Sequence, residues 1–85
     1  VNTARGALID EDALMAALDS GQVAAAGLDC FKTEPGGNPA FVGYDTIFML
    51  PHIGSATTKT RDAMGFRALD NLDAFFAGEA PRDAL

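Results

Sequence analysis

Apolar and polar positions follow two rhythms along this chain. Val1-Asn2-Thr3 reads as a strand end, and Arg5-Gly6 as a turn. Asp10 is then a good N-cap, and Glu11 and Asp12 place negative charge in the first turn, where the helix dipole favours it. Ile9 just before the cap is spaced to pack on Leu14 as a hydrophobic staple. Leu14, Ala17 and Leu18 fall on one face, and Gly21 supplies a left-handed stop. Together they predict a helix of about ten residues, a common length.

Residues 23–28 are small and apolar at every position, the pattern of a strand covered on both faces. Residues 32–45 carry Pro35-Gly36-Gly37 and Asn38-Pro39 and predict a loop, with one short helical turn at Ala40-Phe41-Val42. Thr46-Ile47-Phe48-Met49-Leu50 is a second continuous apolar run, stopped by Pro51. Ser55 to Thr58 offer capping hydroxyls, and residues 59–77 predict a long helix closed by Gly78 and Pro81. Its main stripe is Met64, Ala68, Leu72 and Phe75, with Leu69 and Phe76 alongside. A rod of ~20 residues is ~30 Å long. That is long for a domain this small, and it should reach something the chain does not contain.

The predicted order is β-α-β-loop-β-α. All-apolar strands joined by a helical crossover imply a parallel α/β sheet, here the second half of a doubly wound, Rossmann-type sheet. Eighty-five residues make one small domain at most. Six basic against twelve acidic side chains give a net charge of −6, which argues against a nucleic-acid surface or an anionic membrane as partner. A single cysteine, Cys30, excludes an internal disulfide, and the cytoplasm is the expected compartment. No membrane span or signal peptide is visible. The chain starts at Val1, inside a strand, as a part of a longer polypeptide would.

In such a sheet, ligands bind beyond the carboxyl ends of the strands. Arg5 follows the first strand, Asp29 ends the second with Glu34 five residues on, and His52 follows the third. Each residue has a plainer reading. Arg5 could bond nearby carbonyls in its turn, and Glu34 could be a solvated loop acid. His52 could hold a loop, and Asp29 could cap a turn. Cys30 reads as a small buried hydrophobe, and one cysteine and one histidine far apart in sequence are a poor metal site. Joint placement on one edge favours function for Arg5, Glu34 and His52. A carboxylate beside a histidine favours imidazolium, a proton donor near neutrality. An arginine fork binds a carboxylate bidentately. The set suits a 2-oxo or 2-hydroxy acid, with hydride from a cofactor, since no side chain can supply it.

Four blocks sharpen this: Val1-Asn2-Thr3-Ala4-Arg5-Gly6, Ala26-Gly27-Leu28-Asp29, Thr33-Glu34-Pro35 and Leu50-Pro51-His52-Ile53-Gly54-Ser55-Ala56-Thr57. In order and near spacing they resemble the C-terminal signatures of the D-isomer-specific 2-hydroxyacid dehydrogenases. The last block, with Thr60-Arg61, is most similar to the glyoxylate/hydroxypyruvate reductases. The resemblance implies catalytic roles for Arg5, Glu34 and His52. It also implies a cofactor pocket, for NAD or NADP, at Thr3, Ala4, Arg5, Asp29, His52, Gly54 and Ser55. Cys30 stands where the family usually has valine.

The expected organisation is therefore the C-terminal part of a nucleotide-binding domain plus a C-terminal helix at about 57–77. The Gly-rich phosphate turn and the substrate domain are absent from these 85 residues. The expected parent is a homodimeric enzyme, inactive in this piece alone, and the piece should self-associate. Two other classes stay open. One is an NAD-sensing transcriptional corepressor of the same fold that binds protein partners. The other is an independent small binding or structural module.

Overall fold

The computed structural model describes residues 1–85. They form two compact units, Val1–Gly54 and Ser55–Leu85.

In the first unit a 3₁₀ turn, η1 (Gly6–Leu8), leads to helix α1 (Glu11–Asp19). Asp10 caps α1, its carboxylate accepting from the Ala13 N–H at 3.0 Å. Gly21 follows the helix at φ +75°, a conformation a side chain would strain. Strands β1 (Ala26–Leu28) and β2 (Ile47–Met49) then pair in parallel, Ala26 opposite Ile47 and Leu28 opposite Met49. Between them a second 3₁₀ turn, η2 (Pro39–Gly43), stands where the short helical turn was expected, capped by Asn38.

The three expected strands are shorter than the sequence suggests. The first is reduced to a parallel bridge from Asn2 to Leu28. The run 23–28 is strand only at its end, because Ala24 and Ala25 are exposed and have no partner to reward β geometry. The run 46–50 contracts to three residues, and it is not covered on both faces: Ile47 is buried, whereas Phe48 is exposed. The topology nevertheless survives, with Asn2, β1 and β2 side by side and parallel.

The core is small. Leu28, Phe41 and Ile47 are its buried centre, and Ile9, Leu14, Met15 and Leu18 pack against it, so both staple residues and the leucines of the predicted α1 stripe face inward. Phe41 is completely buried, which explains why η2 is held rather than left as loop.

The second unit is helix α2 (Thr58–Phe76) and the tail after it. Thr57 caps it through its hydroxyl, and Gly78 ends it at φ +76°. The tail returns to the helix: Arg67 binds Asp83 through two bonds, at 2.6 and 3.0 Å, and Asn71 donates to the same carboxylate at 2.8 Å. No residue of α2 is buried. No helix is long and apolar enough to cross a membrane.

Candidate active site

The parallel ladder sets the site, because it ends three segments at one level. The Asn2 N–H donates to the Gly27 carbonyl, and the Asp29 N–H to the Asn2 carbonyl, both at 2.9 Å. On the other side the Leu50 N–H donates to the Leu28 carbonyl at 2.9 Å. The chain beyond Asn2, Leu28 and Met49 therefore leaves the sheet on the same edge.

Asn2 shapes the first exit. Its buried amide donates to the Arg5 carbonyl at 2.8 Å and accepts from the Ala4 N–H at 3.1 Å, an Asx turn. Gly6 lets that turn lie against the second exit. A Cβ there would meet the Phe31 carbonyl carbon at 1.9 Å and the Lys32 nitrogen at 2.3 Å, both backbone atoms. Arg5 itself is exposed, and its guanidinium donates to the Ala4 carbonyl at 2.7 Å. That is the turn arrangement, although its charge still reaches Glu34 and helps lower that carboxyl.

The second exit carries Asp29, Cys30 and Glu34. The loop after it is clipped to α1 by Glu11, one oxygen accepting from the Lys32 N–H at 2.9 Å and the other from the Asn38 amide at 3.0 Å. Within the loop one Glu34 oxygen accepts from the Phe31 N–H at 2.8 Å, which aims the other at the third exit.

His52 sits on the third exit at φ +56°, in left-handed space that a non-glycine residue occupies only when its surroundings enforce it. Asp29 is the enforcer. Its carboxylate, 3 % exposed, accepts from the Ile53 and Gly54 N–H groups at 2.7 Å each. The turn so fixed brings His52 Nδ1 to 2.6 Å from Glu34 Oε2. That bond is the chief reason the Glu34 carboxyl lies below its ordinary range; the Phe31 N–H adds to it.

The pair borders an open cavity of about 590 Å³, also lined by Phe31, Gly37, Met49 and Leu50. That is enough volume for a small ligand. Cys30 Sγ is buried beside the pair and donates to the Ala4 carbonyl at 3.4 Å. Burial, and after it the charges of Asp29 and Glu34, push its thiol up. Donor atoms of Cys30, Glu34 and His52 all lie within 4.8 Å of one another, so the fold erases the sequence distance that argued against a shared metal.

The edge thus joins Glu34, His52 and Cys30, with Asp29 behind them and Arg5 outside the cavity lining. Thr3 and Ala4 are exposed on the first exit, and Gly54 closes the first unit. Ser55 belongs to the second unit, where its carbonyl accepts from Thr57 N–H and Arg61 Nε. Three shaping residues carry little signal in sequence. Asn2 has Asx-turn spacing, Gly6 is one glycine among nine, and Glu11 reads as a helix-start acid.

Residues 1–54 match the family described as D-isomer specific 2-hydroxyacid dehydrogenase, NAD binding domain. The chain belongs to this family. Relatives in the family include the glycerate dehydrogenase of Hyphomicrobium methylovorum, 46 % identical over 92 % of this chain and 24 % of the relative. The glyoxylate reductase of Pyrococcus furiosus is 47 % identical over 95 % of this chain and 24 % of its own. A crystal structure of the NADPH-dependent glyoxylate/hydroxypyruvate reductase of Sinorhizobium meliloti, in complex with NADP and malonate, superposes with a TM-score of 0.81. It is 44 % identical over 88 % of this chain and 24 % of that one. The chain therefore spans about a quarter of the length of the curated relatives it matches.

Proposed function

We propose that this chain is the acid–base edge of an NAD(P)-dependent reductase of small 2-oxo acids, of the glyoxylate/hydroxypyruvate class, within a longer polypeptide. The observation that carries this reading is the His52–Glu34 bond at 2.6 Å on the wall of a cavity at the carboxyl end of a parallel sheet. The names of the relatives support the substrate class.

The residues present fit the nicotinamide end of the cofactor and not its phosphates. The sheet edge offers open backbone at Thr3 and Ala4 beside a proton donor, whereas the sequence contains no G-x-G-x-x-G turn for a pyrophosphate. Thr3, Ala4, Arg5, Asp29, His52 and Gly54 would hold that end. When bound, the cofactor supplies the hydride.

The chain's own residues do the rest. Protonated His52 gives its proton to the substrate oxygen as charge develops there. Glu34 holds the ring by Nδ1, which leaves Nε2 to face the substrate. Arg5 swings from the Ala4 carbonyl to take the substrate carboxylate as a fork.

Kinetics of the full-length enzyme test this. His52→Gln should lower kcat/KM by about 10²–10⁴-fold in both directions, the usual worth of a general acid–base. Glu34→Gln replaces the carboxylate that holds Nδ1, so the ring is held less well and kcat/KM should fall in both directions, by less than in His52→Gln. An unchanged kcat/KM in Glu34→Gln would return Glu34 to the role of a loop acid.

A further inference from the structure

We propose that Cys30, Glu34 and His52 form a binding site for a thiophilic divalent cation of the zinc and cadmium class. A thiol sulfur, an imidazole nitrogen and a carboxylate oxygen lie within 4.8 Å of one another, on residues that leave the sheet on two different strands. Sulfur with nitrogen is the donor chemistry of zinc and cadmium, not of calcium or magnesium, which take oxygen. Three protein ligands with a fourth position open to solvent is a stable zinc arrangement.

The site is graded by depth, which gives the ion a way in. The Glu34 and His52 side chains are 34 % and 46 % exposed, while Cys30 is 2 % exposed. Asp29 and Glu34 both place negative charge against the sulfur, which favours a cation there. Asp29 stays bound to the Ile53 and Gly54 N–H groups and keeps the turn in place.

At zinc–ligand distances of about 2.0–2.3 Å the donors of a tetrahedron sit roughly 3.3 Å apart or slightly more. His52 and Glu34 must therefore open from 2.6 Å by about 0.7 Å, and the sulfur, within 4.8 Å of both, must close to roughly 3.5 Å. The thiol proton and the proton shared by His52 and Glu34 leave to solvent, and the cation takes their place. A cation so held occupies the two groups of the acid–base pair, so it inhibits. That consequence rests on the reading above, whereas the binding does not.

Cadmium chloride added to the full-length enzyme reads the site directly through the ultraviolet thiolate-to-cadmium absorption. Wild type should gain one equivalent of this band that Cys30→Val lacks, and His52→Gln should bind at least tenfold more weakly. Zinc chloride should lower kcat/KM, EDTA should restore it, and Cys30→Val should need at least tenfold more zinc while keeping its metal-free rate. Identical cadmium spectra in wild type and Cys30→Val would overturn the proposal. A Cys30-dependent band with undiminished kcat/KM would uphold the site and overturn the acid–base role of His52 instead.

Discussion

The two α-helices of this chain carry the same kind of apolar stripe and meet different ends. Helix α1 has nine residues, and Leu14, Met15 and Leu18 pack on the Leu28–Phe41–Ile47 core. Helix α2 has nineteen, and Leu69, Leu72, Phe75 and Phe76 all remain more than half exposed. The longer helix is the less buried one. Amphipathic spacing decides which face of a helix is apolar; only another element decides whether that face is covered. What holds the second unit is polar and local instead: the Thr57 cap, and the Asp83 carboxylate gathered by Arg67 and Asn71.

The contrast is broken most directly by truncating one side chain in each unit. Phe41→Ala empties a fully buried site and should cost about 3–5 kcal/mol in chemical denaturation of the 85-residue chain. Leu69→Ala on α2, measured at dilutions where the chain is monomeric, should stay within about 0.5 kcal/mol, as surface changes do. Equal losses would mean that α2 has a covered face after all.

A smaller effect tests what the open stripe does. At concentrations on the order of 10 µM, where weak association shows, the isolated chain should sediment above its monomer mass through this face, copy against copy. Leu72→Asp should weaken that association at least tenfold. A monomer that stays monomeric at every concentration would contradict it.

The finest comparison sets two carboxylates side by side. Asp29 is buried and accepts two backbone N–H groups, so Asp29→Asn turns an amide N–H₂ toward one of them and should cost about 1–3 kcal/mol. Under the proposed function it should also slow turnover by the full-length protein, since the His52 turn depends on it. Asp83 is half exposed and is held down at about 2, first by Arg67 and then by Asn71. Its folded value lies below its unfolded one, so its contribution is complete above the ordinary carboxylate range. That contribution fades as pH falls toward about 2 and shrinks in salt. Thermal melts between pH ~5 and ~2, with and without salt, should show this as a small loss. A melt insensitive to both would make the Asp83 bonds ornamental.

Much of this was legible in one dimension. The cap at Asp10, the stops at Gly21 and Gly78, and the turn at Ala40-Phe41-Val42 follow from local chemistry, which neighbours in sequence settle among themselves, whereas among the hydroxyls of residues 55–58 only the structure picks Thr57. The strands were less legible. Pairing of residues 23–28 and 46–50 is rewarded only where a partner strand lies alongside, and each run keeps three strand residues.

Sequence by itself determined the α/β order, the parallel direction of the strands, the family blocks, and the fact that Arg5, Glu34 and His52 follow strand ends. Tertiary structure decided which of them touch. Glu34 and His52 are eighteen residues apart and meet at 2.6 Å because Asp29 bends one loop and Glu11 pins the other. Cys30 joins them, and Arg5 stays turned to its own carbonyl. The physical reason is the range of the forces involved. Caps and turns are won within a few residues, whereas a side chain's partner across a cavity depends on backbone brought close by the sheet.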